Sequence, residues 1–168
     1  MYIGLISDTH GVFDEPLKNF LEPVDEIWHA GDWDKDREFI DSICNFKPVV
    51  GVYGNCDGSP ARSLFHEAEF FERGGMSILM THIGGSPGHY YPGAKALIEQ
   101  YRPNIFVCGH SHILKVMNDI RYDMLYINPG ACGFMGWQLV RTALRFRIED
   151  GSLKDMEVLK VPKEGQIL

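Results

Sequence analysis

Five short segments of the sequence carry side chains with the chemistry of metal ligands: Asp8-Thr9-His10, Gly31-Asp32, Gly54-Asn55-Cys56-Asp57, His82 and Gly109-His110-Ser111-His112. Any one of them alone reads as a turn or a helix cap, because Asp and Asn readily bond neighbouring backbone N–H groups. Together they hold two Asp (Asp8, Asp32), Asn55 and four His (His10, His82, His110, His112), each placed directly after an apolar run. Carboxylate, amide and imidazole without thiolate suit octahedral-like sites for Mn, Fe, Zn or Ni, not a structural Cys-based zinc. Seven ligands are many for one ion. Two ions roughly 3.5–4 Å apart, sharing a bridging carboxylate, would use them all and leave positions for water and substrate. Such a pair acidifies a bridging water and clamps phosphoryl oxygens during in-line attack, so phosphoester hydrolysis follows from the ligand set.

The runs before these segments must then be strands whose carboxyl ends share one edge, where ligands bind in α/β sheets. Short apolar runs at 2–6, 26–29, 49–53, 77–81, 105–108 and 124–127 fit that requirement. Helical spacing appears at 15–21 after the N-cap candidate Asp14, at 35–43 and at 93–101. Hairpins are expected about Arg73-Gly74-Gly75, near Tyr122-Asp123, and at Asp150-Gly151 between 142–149 and 153–159. A mixed, layered α/β arrangement is therefore expected over one domain, residues 1–168, with the 83–93 stretch an irregular Gly/Pro-rich loop bordering the cleft.

Composition narrows the function. The 168 residues are 45% hydrophobic, which is enough for one core of ordinary size. With 16 basic against 23 acidic residues the net charge is -7, so a nucleic-acid polymer meets no general attraction. No apolar run approaches the roughly 20 residues needed to cross a bilayer, and the N-terminus does not resemble a leader peptide. The expectation is a soluble, cytoplasmic protein with four free thiols, since Cys44, Cys56, Cys108 and Cys132 lack CxxC spacing.

The ordered motifs Asp8-x-His10, Gly31-Asp32, Gly54-Asn55, His82 and Gly109-His110-x-His112 resemble those of the calcineurin-like metallophosphoesterases, in particular the small single-domain phosphodiesterases. That resemblance implies a four-layer αββα sandwich of two mixed β-sheets. It implies that Asp8, His10 and His112 hold one ion, that Asn55, His82 and His110 hold the other, and that Asp32 bridges them. The implied activity is a two-metal phosphodiesterase acting on small phosphodiesters by attack of a metal-bridging hydroxide, with Asp32, Asn55, Cys56 and His82 as the catalytic group. Manganese comes first among the metals, with Ni, Fe, Zn or Co as alternatives. Many relatives carry His where this chain has Cys56, and a neutral thiol replaces imidazolium poorly as a proton donor, so aryl or activated diesters should outrun alkyl monoesters.

Cys56, Asp57 and His89 are expected to contact substrate. Trp28, Trp33 and Trp137 are expected in the core or the cleft wall, with the substrate pocket as the alternative for Trp33, next to Asp32, and His29 and His66 as structural histidines. Asn128-Pro129-Gly130-Ala131 resembles the family's closing motif and is expected to support the metal edge. A non-catalytic protein-binding scaffold, as the retromer subunit of the superfamily resembles, and a phosphomonoesterase or nuclease are the competing readings. The completeness of the ligand set weighs against the first, and Cys56 and the acidic surface against the second. The resemblance also admits a homo-oligomer and gives no reason for a membrane partner.

Overall fold

In the computed structural model, residues 1–163 are described. The chain opens with β1 (Tyr2–Ile6), α1 (Glu15–Leu21), β2 (Glu26–His29), α2 (Arg37–Cys44), β3 (Val49–Gly51) and α3 (Ser59–Leu64). It continues through the hairpin β4 (Ala68–Arg73) and β5 (Met76–Thr81), then the short pair β6 (Gly85–Ser86) and β7 (His89–Tyr90), then α4 (Pro92–Tyr101). Next come β8 (Ile105–Val107), β9 (Leu114–Asp119), β10 (Met124–Pro129), β11 (Val140–Glu149) and β12 (Ser152–Pro162).

One sheet has the order β12-β11-β1-β2-β3 and the other β4-β5-β8-β10-β9. In the first, β1, β2 and β3 are parallel and β11 and β12 join antiparallel. In the second, β5, β8 and β10 are parallel, flanked by antiparallel β4 and β9. Strand alternation sorts the apolar side chains into layers. Ile3, Leu5, Trp28, Ile78, Met80, Ile105, Val107, Ile127, Leu144 and Phe146 fill the space between the sheets. Ile6 and Ile27 face the other way and pack with Leu17 and Leu21 of α1, Ile40 and Ile43 of α2 and Ala61 of α3. On the far side, Leu79, Phe106 and Tyr126 meet Ala94 and Ile98 of α4. The result is the expected αββα sandwich of two mixed sheets.

Local chemistry explains where elements begin and end. Helix α2 starts at Arg37 and not at 35, because Asp36 is extended and its carboxylate accepts the Glu38 N–H at 3.0 Å. Asp14 occupies the N-cap position of α1 but makes no capping bond; its Oδ2 accepts from Arg141 at 2.7 Å instead. The 83–93 stretch is more regular than expected: Pro87-Gly88, with Gly88 at φ +85°, turns the β6–β7 ladder, as a Pro-Gly pair does in a type II turn. Asp150 and Gly151, at φ +51° and +69°, make the two-residue turn of the β11–β12 hairpin. Trp28 is in the core between Phe71 and Phe146, with edge contacts at 5.1 and 5.7 Å. Trp137 is not in the core or a cleft wall; it is fully exposed. No described helix is long and apolar enough to cross a membrane, and all four cysteines are free.

Candidate metal centre

The carboxyl ends of β1, β2 and β3 deliver Asp8, Asp32 and Asn55, and those of β5 and β8 deliver His82 and His110. Backbone bonds lace these loops together: the Asp8 N–H donates to Gly31 O at 2.9 Å, the His10 N–H to Asp32 O at 3.2 Å and the Gly109 N–H to His82 O at 3.0 Å. Two glycines allow the approach. A Cβ on Gly31, at φ +96°, would lie 2.7 Å from His82 Nδ1, and one on Gly54 would run into the Asp32 carboxylate.

Asp8 is completely buried and divides its work between its two oxygens. Oδ2 accepts the Ser7 hydroxyl at 2.6 Å and the His110 N–H at 3.1 Å. Oδ1 has no hydrogen-bond partner and faces His112 Nε2 at 3.0 Å, His82 Nε2 at 3.9 Å and His10 Nε2 at 4.0 Å. Asp32 Oδ1 accepts the Cys56 N–H at 2.8 Å, while Oδ2 faces His82 Nε2 at 3.2 Å and His10 Nε2 at 3.8 Å. Behind each of two imidazoles a carbonyl fixes the tautomer. His82 Nδ1 lies 2.7 Å from Ala30 O and His112 Nδ1 3.1 Å from Met135 O. A carbonyl only accepts, so both Nδ1 atoms carry the proton and, in the neutral rings, both Nε2 atoms present lone pairs to carboxylate oxygens. Lone pairs facing lone pairs in a buried site call for cations between them. Protons serve where no metal is bound. Burial opposes protonation of His82, but the adjoining carboxylates of Asp32 and Asp8 outweigh it and raise the pKa. For His112 the Asp8 carboxylate against Nε2 raises the pKa against burial. Burial alone would raise Asp32; His82 and the Cys56 N–H reverse this and hold its carboxyl well below the usual range.

Among the described residues, three groups of side chains could hold a cation: Asp8, His10 and His112; Asp8, Asp32 and His82; and His10, Asp32 and Cys56. His110 stands edge-on to His82 with ring centroids 5.3 Å apart. Asn55 is exposed, lines the same cavity as His82, and donates from Nδ2 to Cys56 Sγ at 3.4 Å. The Cys56 thiol is pushed up to about 11 by burial and by Asp32, so it is neutral near pH 7. His89 lines a second cavity with His110.

One expected substrate contact, Asp57, is engaged elsewhere, and Trp33 takes the core place expected of it. Asp57 is buried, and both its oxygens are occupied: Oδ2 accepts the N–H groups of Asp32 and Gly54 at 2.9 and 2.7 Å, and Oδ1 that of Trp33 at 2.8 Å. It clamps the Asp32 and Gly54 loops from behind. Trp33 is fully buried, stacked between His29 at 3.6 Å and Phe65 at 4.4 Å.

The structural roles expected of His29 and of the Asn128 turn take a definite form at the loops. His29 Nδ1 accepts the Gly31 N–H at 3.1 Å, so its Nε2 carries the proton and donates to Thr9 Oγ1 at 2.9 Å. This ties the Asp8 and Asp32 loops together from below. Asn128 Nδ2 donates to Gly109 O at 2.8 Å and to Ser111 Oγ at 3.1 Å, holding the His110-Ser111-His112 turn. A polar residue at the end of an otherwise apolar strand run is the signal that marks both.

The model of the calcineurin-like phosphoesterase superfamily domain matches residues 1–151. The chain belongs to that superfamily. It is 32% identical over 144 residues to the probable metallophosphoesterase MJ0623 of Methanocaldococcus jannaschii, covering 78% of this chain and 68% of that protein. Solved structures share the fold. Wild-type Vps29 of Entamoeba histolytica complexed with zinc superposes with a TM-score of 0.74 at 18% identity, over 96% of this chain and 99% of the other. A structure described as a novel archaeal phosphodiesterase does so with a TM-score of 0.73 at 20% identity, over 96% and 100%. At those identities the likeness carries the superfamily's fold, and the chemistry has to be argued from this chain's own residues.

Proposed function

We propose that the protein is a cytoplasmic two-metal phosphodiesterase acting on small, activated phosphodiesters, with the chain forming one catalytic domain. The observation that carries the reading is the facing of bare acceptors: Asp8 Oδ1 and His82 Nε2 are buried without a hydrogen-bond partner and point at each other across 3.9 Å. Those atoms fit divalent cations. In this reading Asp8, His10, Asp32 and His112 hold one ion and Asp32, Asn55, His82 and His110 the other, with manganese the first candidate. Bound there, the pair supplies positive charge for phosphoryl oxygens and acidifies the attacking water.

The rest is the work of this chain's side chains. Asp57 and His29 set the loops from behind, so the ligand atoms are fixed before substrate arrives. Cys56, beside Asp32, holds its proton too tightly to act as an imidazolium does toward a departing alkoxide. A leaving group that is stable as an anion is therefore preferred, and arylated diesters head the order. The net charge of -7 disfavours polyanionic polymers while leaving a small diester free to bind.

A second reading, a protein-binding scaffold, draws on the apolar side chains of Met135, Trp137 and Leu139, which are more than half exposed and neighbour the Met135 carbonyl that holds His112. Hydrolysis of bis(p-nitrophenyl) phosphate beside p-nitrophenyl phosphate decides between them, with metal-stripped protein reloaded with Mn²⁺ and Asp32→Asn as control. Diester cleavage that needs both metal and Asp32 is expected. No turnover of either ester with any divalent ion would overturn the enzymatic reading.

A further inference from the structure

Two cavities draw on different residues of the candidate metal centre. The larger, about 670 Å³, reaches His82 and Asn55, and the smaller, about 360 Å³, reaches His110. Tyr91, at the start of α4, lines both. A phosphodiester has two arms diverging from one phosphorus, and a phosphoryl group held between His82 and His110 would send one arm into each cavity. We propose that the smaller cavity recognises a short anionic arm through Lys115 and that the larger takes a bulky arm without net charge, so that the preferred substrate is an asymmetric diester. This rests on the phosphodiesterase reading of the site.

The linings differ in chemistry. In the larger cavity Arg62 is engaged: it lies over the Tyr53 ring at 4.3 Å, and its Nε and Nη2 donate to Asp57 O at 2.8 Å and Gly54 O at 3.3 Å. Glu67 lines the same cavity and balances its charge, and Ile83 and Leu97 add apolar wall. An aromatic or nucleoside-sized group fits such a volume and polarity. In the smaller cavity Lys115 is the one Lys or Arg of the lining, and no carboxylate pairs with it among the described residues. It is half-buried on β9, directly across the ladder from Asn128, which anchors the neighbouring turn. Ser111 Oγ accepts from Asn128 Nδ2 and from the Ile113 N–H at 3.3 Å, so its own proton is left to donate. An ammonium with no carboxylate partner, in a cavity that also carries a hydroxyl donor, is the lining that an anionic group would select.

The test uses three p-nitrophenyl diesters whose second arm is methyl, 2-carboxyethyl or 2-(trimethylammonio)ethyl, with Mn²⁺-loaded wild type and Lys115→Met. The nitrophenyl group is common to all, so ratios within each protein report the second arm alone and any general loss in the variant cancels. In the wild type the carboxyethyl diester is expected to exceed the methyl diester about tenfold in kcat/KM, the scale of one charge-assisted bond, and the cationic arm to be poorest. In Lys115→Met the ratios collapse to within about twofold. Ratios that are flat in the wild type, or unchanged in the variant, overturn the proposal while the phosphodiesterase reading stands. Failure to cleave any of the diesters overturns that reading instead. Calorimetric titration with 3-phosphonopropionate against propylphosphonate then tests the cavity without turnover: tighter binding of the carboxylate, abolished by Lys115→Met, supports it, and equal affinities sink it.

Discussion

Replacing Asp57 with Asn changes one atom of the clamp and should be felt by the whole domain. Asp57 Oδ2 receives two backbone N–H groups and Oδ1 a third, all between 2.7 and 2.9 Å. An amide has one oxygen. Its best placement keeps the bonds from Asp32 and Gly54 and sets its NH₂ against the Trp33 N–H, donor facing donor. The lost charge-assisted bond is worth roughly 1.5–3 kcal/mol, and the two retained bonds weaken as the acceptor becomes neutral. Against this, the variant no longer buries a charge, a burden visible in the pKa of Asp57, which burial raises despite its three donors. The net expectation is a loss of about 2–4 kcal/mol. With a urea dependence of about 2 kcal/mol per molar, the unfolding midpoint falls by roughly 1–2 M. The assay is urea denaturation followed by far-UV circular dichroism at pH 8 in EDTA, beside the exposed control Asp155→Asn. A shift of Asp57→Asn no larger than that of the control would refute the clamp.

Protonation of His29 should destabilise the fold. Burial holds its pKa well below the ordinary value, so the unfolded chain takes up a proton near pH 6.5 that the folded chain refuses, and stability is complete above that pH and falls as acid is added. The slope of unfolding free energy between pH 7.5 and 5.5 in EDTA, about 1.4 kcal/mol per unit at most from this group, should flatten in His29→Gln; equal slopes would contradict the assignment. Gly31→Ala forces a Cβ against His82 Nδ1 at a positive φ and should weaken Mn²⁺ binding at least about tenfold by calorimetry, the scale of losing ligand orientation, whereas unchanged affinity would show that the approach is not needed. Cys56→His restores a proton donor and should raise turnover of alkyl diesters by about tenfold or more while changing aryl diesters little; no gain on the poor leaving groups counts against the leaving-group argument.

Where the sequence was legible, a side chain's neighbours along the chain determined its surroundings. An apolar run followed by Asp or His is a strand followed by its terminal loop, and that placed Asp8, Asp32, His82 and His110 at strand ends before any coordinates. Asp150-Gly151 likewise predicts its own turn. Illegible were the features set by contacts distant in sequence. Asp57 sits one residue beyond Cys56 and looks equally available, yet the N–H groups that consume it belong to residues 32, 33 and 54. Trp33 follows Asp32 directly, but a side chain turned the other way at a strand end finds His29 and Phe65, not substrate. The helix Ser59–Leu64 was hidden because Asp57-Gly58-Ser59-Pro60 reads as turn chemistry and only six residues follow in helical form.

Asp8, His10, Asp32, His110 and His112 all have positive φ, between 44° and 64°. For a residue with a Cβ that conformation costs about 1–2 kcal/mol relative to the ordinary helical region, and glycine escapes it. Against a net stability of roughly 5–15 kcal/mol for a domain, several such positions are a large internal load. Selection for the ligand set therefore works against selection for a durable fold. Glycine at these sites would relieve that load, but at Asp8 and Asp32 it would also forfeit the bonds that tie the neighbouring loops together. Relief of backbone strain and retention of these side chains therefore pull in opposite directions at each of the five positions.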